Sequence, residues 1–222
     1  MRVLLTGATG RLGREITRLL DLPNYKLALN ARNKSKLDSL AGSLIHCKEV
    51  VTLDKDVKEL SALYDMVELV NTHFQGLDVL INNVAHFNFG PVLDKSPEQL
   101  QAMIQTNLSS VIVLTRLALP SLIASGKGII INIASIAAHQ CLADAATYCA
   151  AKSGILAFSG SLFEEVRHLG VRVCTISPGQ FTLSQPRAES TIMPEEVAQM
   201  VSYLLHYPGM HGFPQEITLR GL

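Results

Sequence analysis

Residues 2–16 read RVLLTGATGRLGREI. The apolar run Val3-Leu4-Leu5 ends at three glycines, Gly7, Gly10 and Gly13, and from Leu12 onward Ile16, Leu19 and Leu20 recur at helical spacing. A short apolar run closed by a glycine turn reads as a buried strand, and the recurrence after it as an amphipathic helix. The GxxGxxG turn keeps side chains away from the backbone, so N–H groups can approach a ligand closely. The first helical turn adds a partial positive charge, and the ligand such a turn suits is a phosphate. Without a ligand the same residues serve only as a tight strand–helix connection.

Outward from this unit, strand and helix signals alternate to the end of the chain. Strands are expected at 26–31, 44–51, 77–83, 126–135, 171–177 and 215–219, and helices at 34–40, 57–74, 97–124, 146–169 and 193–207. Ser96-Pro97-Glu98 opens one helix and Pro194 another, because proline fits the first helical turn. Near-continuous apolar strands between helices imply a parallel sheet covered on both faces. The expected fold class is α/β, a doubly wound parallel sheet of about seven strands in three α/β/α layers, with residues 1–222 forming one domain. Residues 178–192 lack periodicity and read either as a substrate lid or as a surface connection.

The chain of 222 residues is 48% hydrophobic and 17% charged, with a formal net charge of zero. That supports one sizeable core and supplies none of the basic excess that nucleic acid or an anionic membrane demands of a partner. Cys47, Cys141, Cys149 and Cys174 show no CxxC pair and no zinc-like interval to histidine. No metal site is expected, and the four read as reduced thiols of a cytoplasmic protein. The opening apolar run stops at Thr6-Gly7, too short for a signal-peptide core. Arg116, Asn132 and Ser135 interrupt the longest apolar runs before membrane-span length.

Two further stretches carry chemistry. In YCAAK, residues 148–152, Tyr148 and Lys152 share a helix face. An ammonium beside a phenol favours the phenolate, lowering its ordinary pKa of about 10 and making it a usable general acid/base. Cys149 faces elsewhere on such a helix and reads as a core thiol. After the second strand the chain reads LNARNKSK. Ala31 stands where an acidic residue would accept from a free ribose 2′-OH, and Arg32 beside it suits a 2′-phosphate by charge and fork geometry. The expected cofactor is NADP(H) in preference to NAD(H), with Arg11 a second phosphate partner; otherwise Arg32 opens a solvated helix.

In their order, these motifs resemble those of the short-chain dehydrogenase/reductase family over residues 3–219. TGATGRLG (6–13) resembles its cofactor turn, Asp56-Val57 its adenine-contacting pair with Asp54 as the alternative acid, and NNVA (82–85) its NNAG segment. Asn107 resembles its helix asparagine, Ser135 its active-site serine, YCAAK its acid/base pair, and Pro178-Gly179 its turn beside the nicotinamide. The resemblance implies a Rossmann-type fold and a catalytic set of Asn107, Ser135, Tyr148 and Lys152. It implies cofactor contacts from Thr6, Gly7, Thr9, Gly10, Arg11, Leu12 and Gly13, and from Arg32, Asp56, Val57, Asn83 and Ala85. Tyr148, Lys152, Pro178, Gly179, Phe181 and Thr182 complete that set. In the implied roles Tyr148 exchanges a proton with the substrate oxygen, and Lys152 lowers the Tyr148 pKa and holds the nicotinamide ribose. Ser135 hydrogen-bonds the substrate oxygen, and Asn107 positions a water linking Lys152 to solvent.

The sequence departs from that family in places. Its single-domain members usually carry TGxxxGxG, whereas Gly10 stands one place early here, as in the extended and atypical branches. His86 occupies the glycine position of NNAG. His86 and His139 are candidate substrate contacts, or histidines turned to solvent. The expected function is hydride transfer between the nicotinamide and a carbonyl or secondary alcohol of a small organic substrate. An NADP(H)-binding regulator or scaffold with little turnover is the alternative, and it needs the glycine turn and Arg32 without the tetrad. A lyase or epimerase on the same fold is a third reading. The resemblance also implies a homodimer or homotetramer paired through the helices at 102–119 and 154–169, while net charge and run length give no nucleic-acid or membrane partner.

Overall fold

The computed structural model describes residues 1–181, 191–209 and 212–221. Its strands are β1 (Arg2–Thr6), β2 (Lys26–Asn30), β3 (Glu49–Leu53), β4 (Val79–Asn82), β5 (Ile129–Ile133), β6 (Arg172–Pro178) and β7 (Glu216–Leu219). They form one sheet in the order β3-β2-β1-β4-β5-β6-β7, every pair parallel. The helices are α1 (Arg11–Leu19), α2 (Lys34–Ala41), α3 (Leu60–Phe74), α4 (Pro97–Ile104), α5 (Ser110–Ala124), α6 (Ala146–Val166) and α7 (Pro194–Leu205). Alternation along β1 shows how the layers arise. Val3 and Leu5 share a core with Ile16 of α1, Leu37 of α2 and Val201 of α7. Leu4, pointing the other way, shares one with Met66 of α3, Leu114 of α5 and Leu162 of α6. The sheet is doubly wound, with helices on both faces, as the strand–helix alternation requires.

Strand order reverses between β1 and β4. In open α/β sheets ligands bind in the crevice at such a switch point, beyond the carboxyl ends of the strands. Asn30, buried at the end of β2, donates to Leu53 O and Lys55 O at 2.9 Å each and so fixes the chain after β3 at the rim of that crevice.

Several elements are shorter than expected by two or three residues at an end, and three departures have a visible cause. β3 begins at Glu49 rather than at 44, because the Asp21 carboxylate accepts the N–H groups of Ile45, His46 and Cys47 at 2.7–3.1 Å and takes the donors a ladder would use. α3 begins at Leu60 rather than at 57, because Asp56 accepts the Lys58 N–H in a turn. The helix expected at 97–124 opens with a capping box between Ser96 and Gln99, then contains a π turn, Gln105–Ser109, that joins α4 to α5. Although Arg116 interrupts its longest apolar run, Pro97–Ala124 is long and apolar enough by length and composition to cross a membrane. Here Leu114, Ala118 and Leu122 bury one face of it in the core shared with α3 and α6. All four cysteines are free.

Candidate active site

The turn after β1 is held by fit and by hydrogen bonds. Gly7 has φ +69°, where a side chain is strained. A Cβ on Gly13 would lie 2.1 Å from Gly7 O, so α1 presses onto the turn only because Gly13 lacks one. Gly10 is the N-cap of α1 and no side chain caps it, which leaves the first N–H groups of the helix to a ligand or to solvent. Asn83, just past β4, donates to Thr6 O at 3.1 Å and Gly7 O at 3.2 Å and so ties the turn to the switch point. Thr6 itself is buried. Its hydroxyl accepts from the Asn83 and Val84 N–H groups and donates to Ile81 O, so it braces the turn from inside instead of forming a wall of the cleft.

A cleft of about 940 Å³ spans the carboxyl ends of β2, β1, β4, β5 and β6. It gathers the sequence-expected site residues apart from Thr6, Asn107, His139 and Thr182, and Thr182 lies outside the described residues. Arg11 and Arg32 line it, both exposed, and neither has an ion-pair or side-chain hydrogen-bond partner among the described residues. Lys34 is taken by Asp38 at 3.0 Å, which leaves Arg32 as the free guanidinium at the end of β2.

Tyr148 and Lys152 lie one turn apart on α6, 5% and 2% exposed. The Lys152 ammonium donates to Ile133 O, at the end of β5, at 2.8 Å, and Nζ is 5.8 Å from the centre of the Tyr148 ring. Burial pushes the Tyr148 phenol up to about 12, with hydrogen bonding to Ser135 pulling the other way. Burial pulls Lys152 down to about 8. The expected lowering of Tyr148 by Lys152 is not what the structure shows: desolvation raises the phenol, the one group pulling it down is Ser135, and the ammonium is held on Ile133 O. Ser135 lines the cleft and caps the 3₁₀ turn Ile136–Ala138, accepting the Ala137 N–H at 3.1 Å.

Asn107 sits in the π turn, fully buried. Its amide donates to His86 O at 2.8 Å and Met103 O at 2.9 Å, and its Oδ1 accepts the His86 N–H at 2.9 Å. Both amide protons are spent on backbone, so this side chain fixes the loop after β4, a contact the sequence expectation did not contain. His86 lines the cleft with its side chain exposed. His139 does not line it: its Nε2 lies 2.6 Å from Glu216 Oε1 of β7. Two cleft residues that the motifs passed over are Phe87 and Phe89, whose ring centres lie 5.0 and 5.7 Å from that of Tyr148. Their signal was the apolar-polar-apolar alternation of Phe87-Asn88-Phe89 directly after NNVA.

The glycine turn at the switch point, and the cleft it opens on, define a Rossmann-fold protein. The chain belongs to the short-chain dehydrogenase family, whose model matches residues 1–192. An uncharacterized oxidoreductase of Staphylococcus epidermidis is 30% identical over 224 residues, covering 98% of this chain and 95% of its own. Among solved structures, a metagenomic short-chain oxidoreductase in complex with NADP superposes with a TM-score of 0.85 at 29% identity, over 99% of this chain and 96% of that one. Serine dehydrogenase from Escherichia coli superposes with a TM-score of 0.87 at 27% identity, over 99% and 97%.

Proposed function

We propose that this protein is an NADP(H)-dependent oxidoreductase that interconverts a carbonyl and a secondary alcohol of a small organic substrate, with Tyr148 as general acid/base. The observation that carries the reading is that the buried Tyr148–Lys152 turn and the uncapped glycine turn open on one cleft. The residues fit a nicotinamide dinucleotide. The close approach at Gly13 and the free N–H groups of α1 suit its pyrophosphate. Arg11 and Arg32 suit a 2′-phosphate, Asp56 and Val57 the adenine, and Pro178, Gly179 and Phe181 the nicotinamide end. The NADP held by the metagenomic oxidoreductase supports the same choice.

When bound, the dihydronicotinamide supplies the hydride that reduces the carbonyl carbon. Tyr148, which keeps its proton to high pH, gives it to the carbonyl oxygen, so the C=O becomes C–H plus O–H; in the alcohol-oxidising direction it takes that proton back. Ser135 donates to the same oxygen and stabilises its developing charge. Lys152, still mostly cationic at neutral pH, stabilises the phenolate left behind and supplies the proton that restores it. Asn107 is a positioning residue that acts through His86. Pairing through α5 and α6 into a homodimer or homotetramer belongs to the same reading, supported by the exposed Ile112 on α5 and tested by light scattering.

The test is a parallel titration with NADPH and NADH, following nicotinamide fluorescence in a chain without tryptophan, then a carbonyl panel with NADPH. Tighter NADPH binding with carbonyl-dependent oxidation is the expected result. Binding without turnover across the panel would favour a scaffold, and binding of neither cofactor would sink the reading.

A further inference from the structure

Phe87, Phe89 and Tyr148 form a triangle of rings. Phe87 is tilted 40° to Tyr148 at 5.0 Å, Phe89 meets it edge-on at 5.7 Å, and the two phenylalanines are 5.9 Å apart. Both line the cleft, yet they are 56% and 55% exposed, so their free faces point to open space beside the phenol. The backbone under them is fixed at both ends. Asn107 holds both backbone groups of His86, Lys95 donates to Asn88 Oδ1 at 2.8 Å and to Phe89 O at 2.6 Å, and Gly90 donates to Asp144 O at 2.8 Å. Alternation sends Asn88 one way, to Lys95, and the two rings the other way, to Tyr148. Leu142, Ala102 and Ile136 continue the apolar lining.

We infer that the substrate is a carbonyl compound carrying a flat aromatic ring, and that Phe87 and Phe89 select it by packing against that ring. The inference rests on the carbonyl-reductase reading above. Exposed aromatic faces on a fixed backbone lose little freedom on binding, and ring-to-ring contact adds to simple apolar burial. The ring would seat against Phe87 and Phe89 while its carbonyl oxygen meets the Tyr148 and Ser135 hydroxyls.

Acetophenone and cyclohexyl methyl ketone, similar in size and differing in the flat ring, are assayed with NADPH on the wild type, Phe87→Leu and Phe89→Leu. The wild type is expected to favour acetophenone about tenfold in kcat/KM, and each leucine to cut that ratio roughly three- to tenfold through KM. Phe87→Tyr and Phe89→Tyr, which keep the ring, should retain it. Equal use of both ketones by the wild type, or an unchanged ratio in the leucine variants, overturns the inference and leaves the reductase reading standing. A calorimetric titration with methyl naphthyl ketone, with and without NADPH, separates the two readings. Binding that weakens in the leucine variants while no ketone is reduced supports the aromatic site and sinks the reductase reading. Absence of both binding and reduction overturns both.

Discussion

The two ends of the cleft are built by opposite means. At the glycine-turn end the available groups are backbone: the uncapped N–H groups of α1, brought close because Gly13 has no side chain to meet Gly7 O, with Arg11 and Arg32 standing free around them. At the Tyr148 end they are side chains: a buried phenol, a buried ammonium and two exposed rings drawn from α6 and the loop after β4. Each end is therefore vulnerable to a different kind of substitution. A backbone site fails when a small residue grows, because the chain itself must move. A side-chain site fails when one functional group is lost, while the fold around it stands.

The largest effect should come from Tyr148→Phe, which removes the proton and leaves the ring. Turnover is expected to fall roughly 10³-fold while NADPH binding stays within about twofold. Steady-state assays beside a fluorescence titration check this, and a parallel loss of binding would break the separation of the two ends.

Gly13→Ala should do the reverse. The new Cβ would meet Gly7 O, so the turn or α1 must shift, at a cost of about 3 kcal/mol and a Tm lower by roughly 6–12 °C. NADPH binding should fall with it. An unchanged melting curve would show that the turn can open freely.

Lys152→Met sharpens the contrast, since Lys152 is a buried cation whose partner is a neutral carbonyl. Its folded value of about 8 lies below the ordinary 10.5, so between those two pH values the unfolded chain binds the proton that the folded one has released. Wild-type stability should therefore rise with pH across that window. Lys152→Met should be more stable than wild type by about 2 kcal/mol near neutral pH, once the lost bond to Ile133 O is subtracted, and that advantage should shrink from pH 8 toward 10.5 while turnover is lost throughout. Melting curves across pH decide it, and an advantage that does not depend on pH would assign the gain to packing alone.

Arg32→Ala should have the smallest effect, because the guanidinium is exposed. NADPH affinity should drop about tenfold and NADH affinity stay unchanged. Equal losses for both cofactors would remove the 2′-phosphate role.

Features that depend on neighbours along the chain are legible in the residues alone. Strand–helix alternation, the GxxGxxG turn, the free arginine after the second strand and the one-turn spacing of Tyr148 and Lys152 are local, because backbone periodicity places them whatever the loops do. The limits of β3 were already less legible, since Asp21, distant in sequence, takes the N–H groups of residues 45–47. Long-range packing sets the rest: Asn107 clamps His86, His139 turns to Glu216, Lys152 rests on Ile133 O, and Phe87 and Phe89 pack on Tyr148. It also reversed the direction of the Tyr148 shift. The YCAAK spacing brings a charge near a phenol, but the burial of both groups is set by how β5, α6 and the loop after β4 pack together, and desolvation there sets the direction of both shifts.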